Sequence, residues 1–294
     1  MSYFKFINSS IEEVMLSLIQ YYGGKYFQTP DYIPHIVKLA KEQHAHGYIE
    51  CTAGGARTLL NLPTNLFSCK VYNEFDSGLC NLFACVKDKS HAEELIRFLS
   101  RTPYDKDYFE WAKKERNNLN FDLVTSAALT YIVAMQSRDG DMEHFRLGKD
   151  AALNERFINH YYNSIKRIRK VTPVLRDTVI MSADFRDVLE QFHKDKHIIK
   201  FIDPPYHPVT RSNKALEVYP CELTVADHKE MVSLLAKSHS WIMCGYDPAL
   251  YGCDDYKPLE EAGAAKISIG YFHLGSTNTK GLDSKREEFI WIKK

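Results

Sequence analysis

Short apolar runs alternate with longer amphipathic stretches in the first and the last third of the chain. The runs predict strands at Gly47–Cys51, Cys69–Asn73, Thr178–Ser182, Ile198–Ile202, Ser240–Cys244, Lys266–Phe272 and Glu288–Ile292. The stretches between them predict helices at Phe75–Val86, His91–Leu99, Phe185–Phe192 and Thr224–Lys237, with Thr224 as the N-cap of the last. Because this alternation is typical of a parallel sheet covered by helices, we expect an α/β fold, and its last two strands could form an antiparallel hairpin.

The middle of the chain, residues 104–177, has no strand pattern and looks helical. Apolar residues recur there at helical spacing and predict a core-facing side, formed by Phe157, Tyr161, Ile165 and Ile168. Basic residues spread over the other side of the same segment. We therefore expect residues 104–177 to be a mainly helical insert in an α/β domain made of residues 1–103 and 178–294.

The sequence Asp203-Pro204-Pro205-Tyr206 directly follows the predicted strand Ile198–Ile202. Open α/β sheets bind their ligands at the carboxyl ends of such strands. Two prolines in succession continue neither a sheet nor a helix, so they predict a rigid turn that presents a carboxylate and an aromatic ring at fixed separation. Such a turn suits a planar amine such as a nucleobase, although an ordinary proline loop is the alternative.

A glycine pair follows the first predicted strand, in the segment from Glu50 to Arg57. Glycines between a strand and a helix let a ligand approach the backbone closely. The next strand ends at Glu74, where a carboxylate could accept hydrogen bonds from ribose hydroxyls. The full fingerprint of three spaced glycines is absent, which argues against a nicotinamide or flavin enzyme.

Two further segments offer ligand contacts. Near the N-terminus, Lys25 follows the pair Gly23-Gly24, and this turn could bring an ammonium group to an anionic ligand or a DNA phosphate. After the predicted strand Thr178–Ser182, Asp184 could either cap the next helix or accept a hydrogen bond from an adenine amino group.

Composition excludes several classes of protein. The chain has 45% apolar residues, no apolar run long enough to span a membrane and no signal-peptide pattern, so we expect a cytoplasmic globular protein. Its 7 cysteines lack Cys-x-x-Cys spacing and its 12 histidines do not cluster, which predicts reduced thiols and no metal site.

The formal net charge is zero, yet positive charge is concentrated in one segment. Between Glu143 and Arg176, eight basic residues stand against three acidic ones. This local excess could bind a nucleic-acid backbone, whereas a solvated helix face is the alternative. The predicted contacts to DNA are Arg138, Arg156, Lys166, Arg167 and Lys170.

Taken in order, these motifs resemble those of the Dam-type DNA N6-adenine methyltransferases. The resemblance rests on Tyr22-x-Gly-Lys25, the glycine loop after Glu50, the acid Glu74, the segment Ser182–Phe185 and the run Asp203-Pro-Pro-Tyr206-His-Pro. It implies a Rossmann-like methyltransferase sheet with a target-recognition insert. It also implies S-adenosylmethionine as the cofactor and duplex DNA as the partner.

The resemblance further implies roles for individual residues. The cofactor would be bound by Tyr22, Lys25, Glu50, Thr52, Ala53, Gly54, Gly55, Glu74, Asp184 and Phe185. Asp203 and the Pro204 carbonyl would accept hydrogen bonds from a flipped-out adenine, Pro205 would stiffen the turn, and Tyr206 would stack on the base. Asp203 is expected to be ionised without tuning, because its reference pKa is about 3.9.

Two alternatives stay open. The same turn serves methylation of RNA or of other planar amines, and a methyltransferase-like fold can persist as a catalytically silent binding protein. The sequence names neither the recognition site nor a companion restriction endonuclease, and we expect a monomer.

Overall fold

A seven-stranded sheet forms the centre of the molecule in the computed structural model, which describes residues 15–211, 222–273 and 285–294. Its strands are β1 (Gly47–Glu50), β2 (Cys69–Asn73), β3 (Thr178–Met181), β4 (Ile198–Ile202), β5 (Trp241–Gly245), β6 (Ala265–His273) and β7 (Lys285–Lys293). They are ordered β3-β2-β1-β4-β5-β7-β6. The first five are parallel, whereas β7 runs antiparallel to both β5 and β6. The predicted α/β class and the closing hairpin are therefore confirmed.

The helices within the described residues are α1 (Thr29–Glu42), α2 (Arg57–Leu60), α3 (Ser77–Lys87), α4 (Lys89–Arg101), α5 (Lys106–Glu115), α6 (Leu123–Gln136), α7 (Ala151–Ile165), α8 (Ile168–Leu175), α9 (Phe185–Phe192), α10 (Val225–Lys237) and α11 (Lys257–Glu261). Thr224 caps α10 in a capping box with Asp227, as its sequence predicts. The helix expected from Phe75 starts later, because Asp76 caps α3 by accepting hydrogen bonds from Gly78 and Leu79. Phe75 is left exposed in front of the helix.

The sheet is covered on both faces, since successive strand residues point to opposite sides. On β1, Tyr48 packs into the larger core with α1, α3, α4 and α6, whereas Ile49 packs into the smaller one with α9 and α10. The same alternation recurs on β5 between Ile242 and Met243. Parallel strands buried on both faces read as continuous apolar runs, which is why the sequence pattern located them.

Helices α5 to α8 occupy the segment predicted as an insert, and they share the larger core with the sheet. Helix α6 is apolar around its whole circumference and is buried from Ser126 to Gln136. A buried ion pair also joins this segment to the sheet domain, because Arg116 binds both oxygens of Asp76, at 2.7 and 2.6 Å. The middle segment thus packs against the sheet and is tied to the start of α3 by this ion pair.

The expected faces of α7 and α8 are seen. Tyr161, Ile165 and Ile168 are buried, Phe157 is half-buried, and the basic side chains lie on the outer side. None of the described helices is long and apolar enough to cross a membrane. The six cysteines in the described part are unpaired, while Cys221 lies outside it.

Candidate active site

A cavity of about 400 Å³ opens at the carboxyl edge of the sheet, where β1, β2, β3 and β4 end side by side. It is lined by every residue predicted to bind the cofactor, that is Tyr22, Lys25, Glu50, Thr52, Ala53, Gly54, Gly55, Glu74, Asp184 and Phe185. Asp203, Pro204 and Pro205 line it as well. Residues that are far apart in the sequence meet here because parallel strands bring their carboxyl ends to one edge.

The turn after β4 is fixed from two sides. The Asp203 N–H donates to the Thr52 hydroxyl at 3.0 Å, which ties the turn to the loop after β1. The Lys25 ammonium lies 2.8 Å from Asp203 Oδ1 and donates to the Gly23 carbonyl, also at 2.8 Å. It stands 4.6 Å from the centre of the Tyr206 ring, within cation–π range. Lys25 therefore organises both functional groups of the Asp-Pro-Pro-Tyr turn.

Burial changes the acidity of Asp203. Loss of hydration raises the pKa of its carboxyl to about 6, and the charge of Lys25 only partly offsets this rise. The expectation of an untuned aspartate is thus not met, because the sequence cannot show how much water the fold removes. The group is still mostly ionised at neutral pH.

Tyr206 lies beside the cavity and does not line it. Its hydroxyl donates to Glu288 Oε1 on β7, and its ring packs edge to face against Tyr246, with centroids 4.6 Å apart. Glu288 is only 1% exposed. Nothing in the local sequence marks this residue, which sits inside a predicted strand 82 positions after Tyr206.

The glycine pair after β1 makes room for a side chain of the protein itself. Gly54 has a φ of +48°, and a Cβ at this position would come within 2.5 Å of the Tyr21 ring. The side chain that approaches the glycines closely is therefore Tyr21, which the sequence did not single out. The Gly54 N–H donates to Glu74 at 2.7 Å and its carbonyl accepts from the Tyr72 hydroxyl at 3.0 Å, so the loop is held in a preformed shape.

Two buried acids stand behind this loop. Glu50 accepts a hydrogen bond from the Leu59 N–H at 2.9 Å, and burial raises its pKa well above the usual range. Burial also raises the pKa of Glu74, although the N–H groups of Gly54, Asp76 and Phe75 stabilise its carboxylate. Beside Glu74, the Phe75 ring is 62% exposed and lines the cavity, so it offers a flat apolar surface.

Asp184 caps α9, which is one of the two roles that its sequence position suggested. It accepts from the Arg186 N–H at 2.9 Å and pairs with the Arg186 guanidinium, also at 2.9 Å. Arg186 in turn reaches Asp227 and lies 2.6 Å from Glu230 on α10. Phe185 is almost fully buried in the smaller core. This end of the cavity is consequently closed by an arginine among three acids.

Arg57 lines the cavity directly after the glycine loop. Its Nη1 donates to the Gly24 carbonyl at 3.1 Å, and its guanidinium lies 5.5 Å from the centre of the Tyr26 ring. Its Nε atom is buried and has no hydrogen-bond partner within the described residues. Burial lowers the pKa of Arg57, and the nearby charge of Arg167 acts in the same direction. A buried donor without an acceptor indicates a place where a ligand oxygen would be stabilised.

Two of the predicted DNA contacts, Arg167 and Arg138, lie near this part of the cavity. The charge of Arg167 acts on Arg57. Burial lowers the pKa of His160 on α7, and the charges of Arg167, Arg146 and Arg156 act in the same direction. The turn that begins at Arg138 is anchored beside the cavity, because the Gly140 carbonyl accepts from the Tyr22 N–H at 3.0 Å.

Arg156, Lys166 and Lys170 are exposed on the outer side of α7 and α8. Among the described residues, none of the five predicted DNA contacts has an ion-pair partner within 4.0 Å. The neighbouring Arg169, by contrast, pairs with Glu93 at 2.7 Å.

One set of described side chains, His207, Cys253 and Asp255, has the spacing of metal ligands, with ligand atoms within 4.8 Å of one another. His207 Nδ1 accepts from the Val209 N–H at 3.3 Å, which leaves Nε2 to donate to Asp255 at 3.1 Å. A metal ion on Nε2 would require a proton on Nδ1, where the Val209 N–H already points. We assign this cluster to holding the loop after Tyr206.

A family model for the D12 class N6 adenine-specific DNA methyltransferases matches residues 21–244. The match includes the glycine loop, Glu74, the Asp-Pro-Pro-Tyr turn and the helical middle segment. No curated protein matches the chain in sequence.

The acidity of Asp203 can be tested without any substrate. In ¹³C NMR titrations we expect the chemical shift of its carboxyl carbon to change with a midpoint at pH about 6. Lys25→Met should raise this midpoint, because it removes the neighbouring positive charge that favours the carboxylate. Lys257→Met, which removes a 65% exposed ammonium far along the chain, should leave it unchanged. A wild-type midpoint at the ordinary value of 3.8 would contradict the burial argument.

Proposed function

Because the chain belongs to the D12 class N6 adenine-specific DNA methyltransferase family, we propose that it transfers the methyl group of S-adenosylmethionine to a flipped-out adenine in duplex DNA. The observation that carries this proposal is the position of Asp203. Asp203 and Pro204 line the cavity, and Lys25 and Thr52 hold Asp203 in place. We further propose that the protein acts as a cytoplasmic monomer, alone or beside a companion restriction endonuclease.

The cavity fits the cofactor in size and in the chemistry of its walls. Its volume is in the usual range for a small-molecule site. At Arg57, an unpartnered buried Nε offers a donor for the cofactor carboxylate. On the other side, Glu74 has acceptor capacity for ribose hydroxyls, and the exposed Phe75 ring can cover the adenine. When bound, S-adenosylmethionine supplies an electrophilic methyl group.

Asp203 and Pro204 would make the adenine amine a better nucleophile. The lone pair of this nitrogen is delocalised into the ring, and hydrogen bonds from both N–H groups to fixed acceptors favour a pyramidal nitrogen. The lone pair would then form the new N–C bond as the C–S bond of the cofactor breaks, with its electrons left on sulfur. The methylated nitrogen would carry the positive charge until it released a proton, for which the Asp203 carboxylate would be the acceptor.

Alignment would supply much of the rate, since well-oriented reactants gain about 7–11 kcal/mol. The rigid Pro204-Pro205 turn and its anchors to Lys25 and Thr52 provide this orientation before the substrate arrives. An adenine inside a duplex cannot reach the cavity, so it must be flipped out at a cost of a few kcal/mol. Stacking on the Tyr206 ring, worth about 1–3 kcal/mol, offsets much of that cost.

The basic outer side of α7 and α8 would bind the phosphate backbone. Arg167 and Lys170 have no ion-pair partner among the described residues, so their charges are available to DNA. Arg167 also lies near Arg57, which connects this side of the helices to the cavity. The backbone contact would thus lie close to the point where the base enters.

The proposed activity is tested by incubating the protein with methyl-labelled S-adenosylmethionine and unmethylated duplex DNA, RNA or protein extract, side by side. We expect label in the DNA as N6-methyladenine. Asp203→Ala should lower transfer by about a hundredfold or more, because a preorganised charge at the reacting nitrogen is lost. It should still bind the cofactor in calorimetry.

The matched control for this variant is Asp254→Ala, which removes an exposed carboxylate and should keep full activity. Label in RNA and none in DNA would refute the proposed substrate. Equal loss of transfer and of cofactor binding in Asp203→Ala would show that the residue is structural.

The role of Arg57 can be measured by binding alone. Arg57→Gln should weaken S-adenosylhomocysteine, which has a carboxylate, by about tenfold or more, since hydrogen bonds to charged groups are the strong ones. It should leave the affinity for 5′-methylthioadenosine, which lacks that carboxylate, unchanged. Arg169→Gln, outside the cavity, serves as the control for calorimetry. Equal weakening of both ligands would mean that Arg57 only supports the loop.

For the DNA contacts, we expect Arg167→Gln with Lys170→Gln to weaken duplex binding and to flatten its salt dependence. The slope of log K against log salt should fall by about one for each phosphate that the protein no longer neutralises. Arg169→Gln is the matched control on the same helix, because Glu93 already neutralises this side chain. A slope unchanged from wild type would show that the two side chains form a solvated helix face and do not contact DNA.

A further inference from the structure

Glu288 is a buried acid close to the proposed adenine site, although it lies outside the matched family segment. Strand β7 carries it into the core beside β6, where it pairs in register with Gly270. Its Oε1 accepts hydrogen bonds from the hydroxyls of Tyr206 and Tyr32, and the Gln28 amide lies 3.4 Å from Oε2. Three donors from two segments, the start of α1 and the turn after β4, therefore converge on one carboxyl group.

A neutral acceptor would satisfy these donors at lower cost. Burying a carboxylate is expensive unless it is paired, and Glu288 has no ion-pair partner within 4.0 Å among the described residues. A glutamine could accept from the same hydroxyls without that desolvation penalty. A buried acid at this position therefore points to a role beyond packing.

Glu288 acts on the turn through its hydrogen bond. It holds the hydroxyl of Tyr206, whose ring stands against Lys25 on one side of the turn. Lys25 in turn pairs with Asp203. One buried side chain thus fixes the ring that would meet the target base.

We propose that Glu288 is a positioning residue for the adenine, which fixes the Tyr206 ring through its hydroxyl so that the ring can stack on the base. This inference rests on the proposed function and extends it to a residue outside the turn.

The test separates the hydrogen bond from the charge. Glu288→Gln keeps an acceptor for Tyr206 and removes the charge, whereas Glu288→Ala removes both. Glu287→Gln is the matched control. Glu287 is the neighbouring acid on β7 and also accepts hydrogen bonds from hydroxyls, those of Ser268 and Tyr271, but on the opposite side of the strand. Thermal melts verify that each variant folds.

One measurement requires no activity. Crystal structures should show the Tyr206 ring in place in Glu288→Gln and displaced in Glu288→Ala. Glu287→Gln should leave the ring in place. An unmoved ring in Glu288→Ala would overturn the proposal.

Activity then tests the consequence. In methyl transfer to unmethylated duplex DNA, Glu288→Ala should lower kcat by about tenfold or more, because Tyr206 loses its acceptor. In a Tyr206→Phe background the same substitution should cost less, since the hydroxyl it acts through is already gone. Additive losses would overturn the link through Tyr206. If the wild type methylates no DNA, the proposed function fails, while the structures still decide the role of Glu288.

Discussion

The ion pair between Asp203 and Lys25 joins two segments that are far apart in the chain, the Gly-Gly-Lys turn before α1 and the turn after β4. Both partners are largely buried, so each reduces the cost of burying the charge of the other. The contact also orients Tyr206, because the same ammonium stands over its ring. Much of the site geometry follows from this pair, since it fixes the wall of the cavity and the groups that face the substrate.

Several buried acids lie in and around this pair, and each accepts hydrogen bonds or an ion pair from a different set of donors. Glu74 is stabilised by backbone N–H groups, Asp203 by an ammonium, and Glu288 by side-chain hydroxyls. Burial raises the pKa of the first two, which makes them better hydrogen-bond and proton acceptors than surface carboxylates. The cavity lining holds more acidic than basic side chains, which suits the cationic sulfonium of the proposed cofactor.

The helical middle segment carries the proposed DNA surface, and buried contacts hold it against the sheet. Helix α6 is buried in the same core as the sheet, and the Arg116–Asp76 pair fastens the segment to the start of α3. The turn at Gly140 packs directly on the Tyr21–Tyr22 backbone. A protein surface built in this way can hold the DNA backbone in a constant position relative to the cavity, which methyl transfer to a flipped base requires.

The sequence determined the features that depend on local chain properties. Strand periodicity located the sheet, and Asp203-Pro-Pro-Tyr206, the glycine loop and Glu74 stood at strand ends, so a cavity at the carboxyl edge could be predicted. Other features depend on which distant groups share a buried space, and only the tertiary structure decided them. Glu288 meets Tyr206 across 82 positions, Gly54 makes room for Tyr21, and Arg57 is left with an unpartnered Nε. The pKa of Asp203 belongs to this group as well, because the water removed from a side chain is a property of the packed fold and not of its neighbours in sequence.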